Sequence, residues 1–193
     1  MIISAVLIFS TSGSAQENVT DNTTNNITDN ATGNATDNAT ENVTNSAVAV
    51  LKDANGSTVA FAIFTENVSG VRVQVIASGL KPGMHGIHIH EKANCTEPLF
   101  TSAGGHYNPM EKEHGLDNPN GSHAGDLPNL VVGEDGTGYM DATTDLVTLT
   151  TGPNTLFTSN GTSLVIHDGS DDQMTDPAGD SGNRTACGVI EKI

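Results

Sequence analysis

Val48-Ala-Val-Leu51, Asn55-Gly56, Thr58-Val-Ala-Phe-Ala-Ile-Phe64 and Val71-Arg-Val-Gln-Val75 decide the fold of this chain. Two apolar runs flank an Asn-Gly pair, which supplies the positive φ angles of a tight turn, so the stretch reads as a β-hairpin. Val71-x-Val73-x-Val75 then alternates with period two, and Ile76 breaks the alternation at the strand end. Further strands are expected over Met84–Glu91, Leu130–Val132, Gly138–Thr143 and Leu164–Ile166, with Glu134-Asp-Gly136 as a turn. Helical periodicity is absent. Short strands, Gly turns and long polar loops predict an all-β domain, an antiparallel sandwich or barrel with Greek-key links.

Two segments depart from the strand rhythm. Residues 91–127 contain Gly104, Gly105, Pro109, Gly115, Pro119 and Gly121, and residues 168–183 contain Gly169, Pro177, Gly179 and Gly182. Structureless stretches of this length inside a domain are usually functional. Most of the seven histidines lie in or beside them. His88 and His90 are two apart on a strand, so both side chains leave one face and can serve one metal. His85 has the opposite parity and is expected to pin core or loop. His123-x-x-Asp126, with His114 nine residues earlier, can wrap a second metal through a loop. With His106 and His167 the set holds six imidazoles and a carboxylate, enough for two adjacent transition-metal sites. Imidazole suits copper and zinc, and an Asp oxygen completes a tetrahedral zinc. A zinc finger would instead gather its ligands around paired cysteines within about 30 residues.

Around this core the composition divides the chain. Residues 1–15 hold an apolar run from Ile2 to Phe9 followed by small residues, which reads as a signal peptide, although no Lys or Arg precedes the run. The run is too short to span a bilayer, which takes roughly 20 residues. Residues 16–45 repeat an Asn-x-Thr unit at Asn18, Asn22, Asn26, Asn30, Asn34, Asn38 and Asn42. With almost no large apolar residues, the tract reads as a disordered linker, and its acceptor sites suit a glycosylated stalk. Residues 46–193 are one domain able to bury a core. Cys95 and Cys187 fit one disulfide in an oxidising compartment. A metal-binding thiol pair is the alternative, against which the lack of a C-x-x-C spacing counts. Closing a loop of about 100 residues is worth on the order of 4–5 kcal/mol in the chain-entropy model. The chain carries 7 Lys and Arg against 23 Asp and Glu, which excludes a nucleic-acid footprint.

His85-Gly-Ile-His-Ile-His-Glu91, Ser102-Ala-Gly-Gly-His-Tyr-Asn-Pro109, His123-Ala-Gly-Asp-Leu127, Ser163-Leu-Val-Ile-His167 and Arg184-Thr-Ala-Cys-Gly-Val-Ile190 resemble, in order, the signature blocks of copper/zinc superoxide dismutases. The resemblance covers nearly all of residues 46–193. It implies an eight-stranded Greek-key β-barrel or immunoglobulin-like sandwich with two long functional loops. It further implies copper at His88, His90, His106 and His167, and zinc at His106, His114, His123 and Asp126, with His106 as the bridging imidazolate. Cys95 and Cys187 would form the family's disulfide, and Arg184 would hold the anion at the copper mouth. Asp171 aligns with the carboxylate that links a ligand histidine on each metal. Thr96-Glu-Pro-Leu-Phe-Thr101 resembles the bacterial branch. Copper would oxidise one superoxide and reduce the next, with His106 leaving the reduced copper and carrying a proton, while zinc holds His106 and the loop in place.

Two departures bear on rate. Ala178 stands where the family commonly has a threonine, and the nearby loop carries Asp172, Asp176 and Asp180 in place of a lysine. The leading expectation is an exported superoxide dismutase, secreted or at the cell surface, monomeric or homodimeric, with superoxide as its partner and no nucleic acid or membrane span in the mature domain. A copper-buffering module with little turnover is the second reading. It has no need of a bridging imidazole or an anion guide. A structural surface protein led by the Asn-x-Thr stalk is the third, and it leaves the ligand set unexplained.

Overall fold

The computed structural model describes residues 45–193; the expected signal segment and, but for Asn45, the Asn-x-Thr tract lie outside them. Ten strands follow in chain order: β1 (Ser46–Asp53), β2 (Thr58–Asn67), β3 (Gly70–Ser78), β4 (Gly83–His85), β5 (Ile87–His90), β6 (Leu130–Val132), β7 (Thr137–Thr144), β8 (Ser163–His167), β9 (Arg184–Val189) and β10 (Glu191–Lys192). They pair antiparallel in the order β4-β6-β7-β3-β2-β1-β9-β8-β5, with β10 on β1. The two ends of this path, β4 and β5, are separated in the chain by Gly86 alone. The sheet therefore curls round into a nearly closed barrel. Taking β4 with β5 and β9 with β10, each pair split by one residue, leaves the eight strands that the resemblance implies. A 3-10 turn at Thr101–Ala103 is the one helical segment among the described residues.

Strict alternation fills the barrel. Ala47, Ala49 and Leu51 of β1, Ala60, Ala62 and Phe64 of β2, and Val71, Val73 and Val75 of β3 all point inward and are buried. The expected break at Ile76 does not occur: β3 runs on to Ser78, Ala77 returns to the core, and Ile76 faces solvent in register. The Asn55-Gly56 turn forms as expected, with Gly56 at φ 79°. It is wider than a two-residue hairpin, because the Asp53 side chain accepts the amides of Asn55 and Ser57.

The expected strand over Met84–Glu91 is broken at Gly86. Its N–H donates to the Gly169 carbonyl and its own carbonyl accepts from the His167 amide, both at 2.8 Å. A Cβ there would come within 2.7 Å of the Ser181 Cβ. Glycine lets the strand hand over from one barrel edge to the other while the later loop passes close by.

β5 is buried on both faces. Ile87 and Ile89 enter the core, whereas His88 and His90 leave the opposite side and are covered by loops. One of those loops is held by the Cys95–Cys187 disulfide, which joins residues 92 apart and ties it to β9. Phe100, Ala103 and Val165 pack around the bridge in a second, smaller apolar cluster. Replacing both cysteines with alanine is expected to cost about 2–5 kcal/mol in urea unfolding, mainly by freeing the unfolded chain. A midpoint that does not move would show that the bridge carries none of this constraint.

Candidate metal centre

β5 ends the hydrogen-bonded path, and its free edge is used by the first long loop rather than by another strand. Ile89 donates to the Gly125 carbonyl, Tyr107 donates to the Ile89 carbonyl, and Gly125 donates to the Tyr107 carbonyl, each at 2.8 Å. Isolated bridges join His90 to His106 and His88 to Asp126. Gly125 is required here, since a Cβ would strike the Ile89 carbonyl oxygen. His106 and Asp126, 20 residues apart in a loop, are thus fixed by backbone bonds to the strand that carries His88 and His90. His167 closes the group from the end of β8, β5's partner.

Two groups of donor atoms result, each able to hold a metal ion: His88, His90, His106 and His167, and His106, His114, His123 and Asp126. His106 belongs to both. In the first, one nitrogen of each ring is spoken for. His88 Nε2 donates to Asp171 Oδ2 at 2.6 Å, His90 Nδ1 to the Gly104 carbonyl at 3.0 Å, and His167 Nδ1 to the Gly182 carbonyl at 3.2 Å. These bonds place the proton on the outer nitrogen and the lone pair on the inner one. The inner atoms, His88 Nδ1, His90 Nε2 and His167 Nε2, together with His106 Nε2, are buried without a partner. Burial pushes His88 down to about 3 and His167 down to about 4, and holds His90 well below its ordinary value. Four neutral imidazoles with orphaned lone pairs in one buried spot fit a copper ion.

In the second group Asp126 Oδ1 lies 2.9 Å from His106 Nδ1, 3.0 Å from His114 Nδ1 and 3.4 Å from His123 Nδ1. His123 Nδ1 is 3.3 Å from His106 Nδ1. Ligands at about 2.0–2.1 Å from a tetrahedral zinc stand roughly 3.3 Å from one another, so these separations fit the edges of such a site. Burial would raise Asp126, but the three histidines and the Gly115 amide outweigh it and keep the carboxylate well below the usual range. Gly115 and His123 also donate their backbone amides to Oδ2, at 2.8 and 2.9 Å, and fix the carboxylate in place.

Asp171 joins the groups, its Oδ2 on His88 and its Oδ1 3.0 Å from His114 Nε2. Arg184 donates to the carbonyls of Phe100 at 2.7 Å and Gly104 at 2.5 Å. With Leu99, Thr101, Gly182 and Asn183 it lines an open recess of about 260 Å³. Gly182, in the wall of the recess, accepts from His167, and the Gly104 carbonyl accepts from both Arg184 and His90. His85 stands apart from both groups, its ring nitrogens 2.7 Å from the His167 carbonyl and 2.8 Å from the Lys81 carbonyl. All the expected site residues are therefore gathered, and His85 pins a loop as its parity suggests.

Sequence reasoning missed Asn129, whose side chain accepts from the Asp171 amide and donates to the Asp171 carbonyl, both at 2.8 Å. It also missed Asp176, which accepts the His114 amide at 2.7 Å. Neither sits at a ligand spacing, and an Asn directly after a Leu-Pro carries no signal of its own.

Residues 55–190 match the family model of copper/zinc superoxide dismutase. The chain is 46% identical over 146 residues to superoxide dismutase [Cu-Zn] 2 of Aquifex aeolicus, covering 75% of this chain and 85% of that one. It is 42% identical over 158 residues to the superoxide dismutase [Cu-Zn] of Deinococcus radiodurans, covering 75% and 84%. The crystal structure of a SOD-like protein from Bacillus subtilis superposes with a TM-score of 0.71 at 39% identity, covering 74% of this chain and 96% of that one. Fold, donor set and relatives agree, and the chain belongs to the copper/zinc superoxide dismutase family.

Proposed function

We propose that this protein dismutates superoxide to oxygen and hydrogen peroxide, with copper held by His88, His90, His106 and His167 and zinc by His106, His114, His123 and Asp126. The observation that carries this reading is the set of four buried, unpartnered nitrogens converging from β5, β8 and the first loop. Copper there supplies one-electron chemistry in both directions, which zinc lacks. The residues supply the rest. The Asp171, Gly104 and Gly182 acceptors hold three rings in single tautomers. His106 offers a nitrogen to each group and can carry a proton between its two nitrogens. Arg184, held by two carbonyls at the wall of the recess, presents positive charge to an approaching anion.

A copper-buffering role would leave the second donor group and the placement of Arg184 without use. Export is the accompanying proposal. The Cys95–Cys187 disulfide suits an oxidising compartment, and no helix among the described residues is long and apolar enough to cross a membrane. The Asn-x-Thr tract then serves as the exported, glycosylated linker. Metal analysis of the purified protein with a superoxide-consumption assay tests the whole reading: copper and zinc near one each per chain with turnover supports it, and bound copper without turnover overturns it.

His114→Ala with His123→Ala should abolish zinc uptake while the His88 and His90 strand remains folded. Zinc content equal to the parent's would refute the zinc assignment. Arg184→Ala should slow turnover about tenfold or more with copper content unchanged, because the guide charge acts where substrate charge must be held.

The acidic loop is less free than its composition suggests. Asp172 accepts the amides of Met174 and Thr175 and the Thr175 hydroxyl, and Asp176 accepts the His114 amide. Asp180 makes no side-chain bond among those described and sits at φ 51°, a backbone that Asn also adopts readily. Asp180→Asn is therefore expected to raise the rate modestly at low ionic strength, with the gain fading as salt shortens the Debye length to about 8 Å. A salt-independent change would point to a loop effect instead.

A further inference from the structure

Acceptor triplets of the Asn-x-Ser or Asn-x-Thr kind do not stop at residue 45. Six more lie in the described domain: Asn55-Gly-Ser57, Asn67-Val-Ser69, Asn94-Cys-Thr96, Asn120-Gly-Ser122, Asn160-Gly-Thr162 and Asn183-Arg-Thr185. Such a triplet takes an N-linked sugar where its side-chain amide and its hydroxyl can both be reached, so the fold decides which of the six is usable.

Five of them are engaged. Asn55, Asn120 and Asn183 turn Nδ2 to a carboxylate, of Asp53 at 3.5 Å, Glu113 at 3.4 Å and Asp168 at 3.1 Å. The Asn94 triplet contains Cys95 of the disulfide, and the Ser102 hydroxyl holds the Thr96 amide at 2.8 Å. In the Asn160 triplet Thr162 is fully buried, its hydroxyl donating to the Leu156 carbonyl at 2.8 Å. Asn67 is different. It stands in the β2–β3 turn, and Asn67, Val68 and Ser69 are all exposed. Its Oδ1 accepts the Ser69 amide at 2.8 Å, an Asx-turn that fixes the side chain by its oxygen. Nδ2 and the Ser69 hydroxyl are left facing solvent.

We propose that Asn67 carries an N-linked glycan, taken from a lipid-phosphate-linked oligosaccharide. Nδ2 bonds to the anomeric carbon of the donor sugar as the bond from that carbon to the phosphate oxygen breaks. The phosphate keeps the electron pair and takes up the proton that Nδ2 loses. This rests on the export proposed above, because the triplet is an acceptor in secreted chains. Position gives the modification its sense. β1 pairs Ser46 with Thr65 and, seven residues on, Asp53 with Ala186. At about 3.3 Å per residue those levels are about 23 Å apart. Asn67 lies beyond the first and Arg184 beyond the second, so the sugar and the recess stand at opposite ends of the barrel. The described chain also enters at the Asn67 end, where the Glu66 amide donates to the Asn45 carbonyl at 2.9 Å. Residues two apart share a strand face, so sugar on Asn67 leaves the barrel on the side of Thr65, Ile63 and Phe61. Ile63 and Phe61 are exposed, as are Ile76 and Val50 across the sheet from Phe61, and the sugar therefore borders an apolar row rather than the histidines. Sugar on Asn183 would instead fill the recess, which that residue lines beside Arg184. Asp168 keeps that acceptor closed, holding both its backbone amide and its Nδ2.

Glycopeptide mass spectrometry of the full chain, recovered from outside the cells that produce it, tests this by locating every sugar. Sugar is expected on Asn67 and none on Asn183. Asn67→Gln should lose the mass of one glycan with turnover unchanged. Ser69→Ala should lose it too. That variant keeps the Ser69 amide and hence the turn, so its loss reports the hydroxyl and not a misfolded loop, and Ser69→Thr should keep the sugar. A bare Asn67 in the parent, sugar on Asn183, or sugar on Asn67 that survives Ser69→Ala overturns the proposal. Sugar on residues 16–45 with none on Asn67 overturns it while export stands, whereas a chain held inside the cell and free of sugar overturns both.

Discussion

Asp171 ties the two donor groups into one centre, and much of the local architecture serves that carboxylate. It accepts from His88 on one oxygen and from His114 on the other, and all three side chains are fully buried. Burial alone would raise its pKa, but His114 and His88 outweigh it and keep the group ionised. Such a group is costly to desolvate and tolerable only while every partner is present, since losing one leaves an uncompensated buried charge worth about 3–5 kcal/mol. Asn129 grips the backbone of Asp171 from both sides, and the Gln173 amide donates to Oδ1 at 2.6 Å. The second long loop is thereby fastened to the first at the point where both meet the histidines.

The loops are irregular in shape but not loosely held. Backbone bonds along the free edge of β5 take the place of a neighbouring strand, and the disulfide anchors the far side. Further ties run between the loops: Asp117 donates to the Gln173 carbonyl, and the Asn118 side chain to the Met174 carbonyl. A centre built of four neutral, orphaned imidazoles needs this rigidity, because nothing in the rings themselves aims their lone pairs inward. Preorganised outer bonds do that, two from backbone carbonyls (Gly104 and Gly182) and two from carboxylates (Asp171 and Asp126).

That division explains what could be read in the sequence. The strand parity of His88 and His90 was legible because a pleated strand enforces it, and so was the odd placement of His85. His123-x-x-Asp126 with His114 nine residues earlier was legible as a set that a loop can wrap round a metal, whereas the sharing of His106 between the two groups and the place of His167 in the first came from the ordered match of whole blocks, since residues tens of positions apart carry no spacing rule of their own. The carbonyls of Gly104 and Gly182 were not legible, because every residue has a carbonyl and only the fold selects which one accepts. Ile76 was misread for a related reason. Apolar character signals the core on average, yet outward positions of a closed barrel obey the same alternation whatever occupies them, and here an exposed row is apolar as well.

The acidic composition poses a last physical question, since the substrate is itself an anion. Distance and use both soften the conflict. Charges on solvated surface are screened beyond about 8–10 Å at moderate salt, so carboxylates far from the recess exert little pull or push within it. Among the nearer ones, Asp126 and Asp171 are offset by the histidines they hold, and Asp172 and Asp176 are turned toward amide donors. Arg184 is the only cationic side chain lining the recess. Burial lowers the pKa of its guanidinium, but from so high a starting value that the group stays charged at neutral pH. One fixed positive charge beside the histidines can therefore govern local approach while the net charge of the chain remains strongly negative.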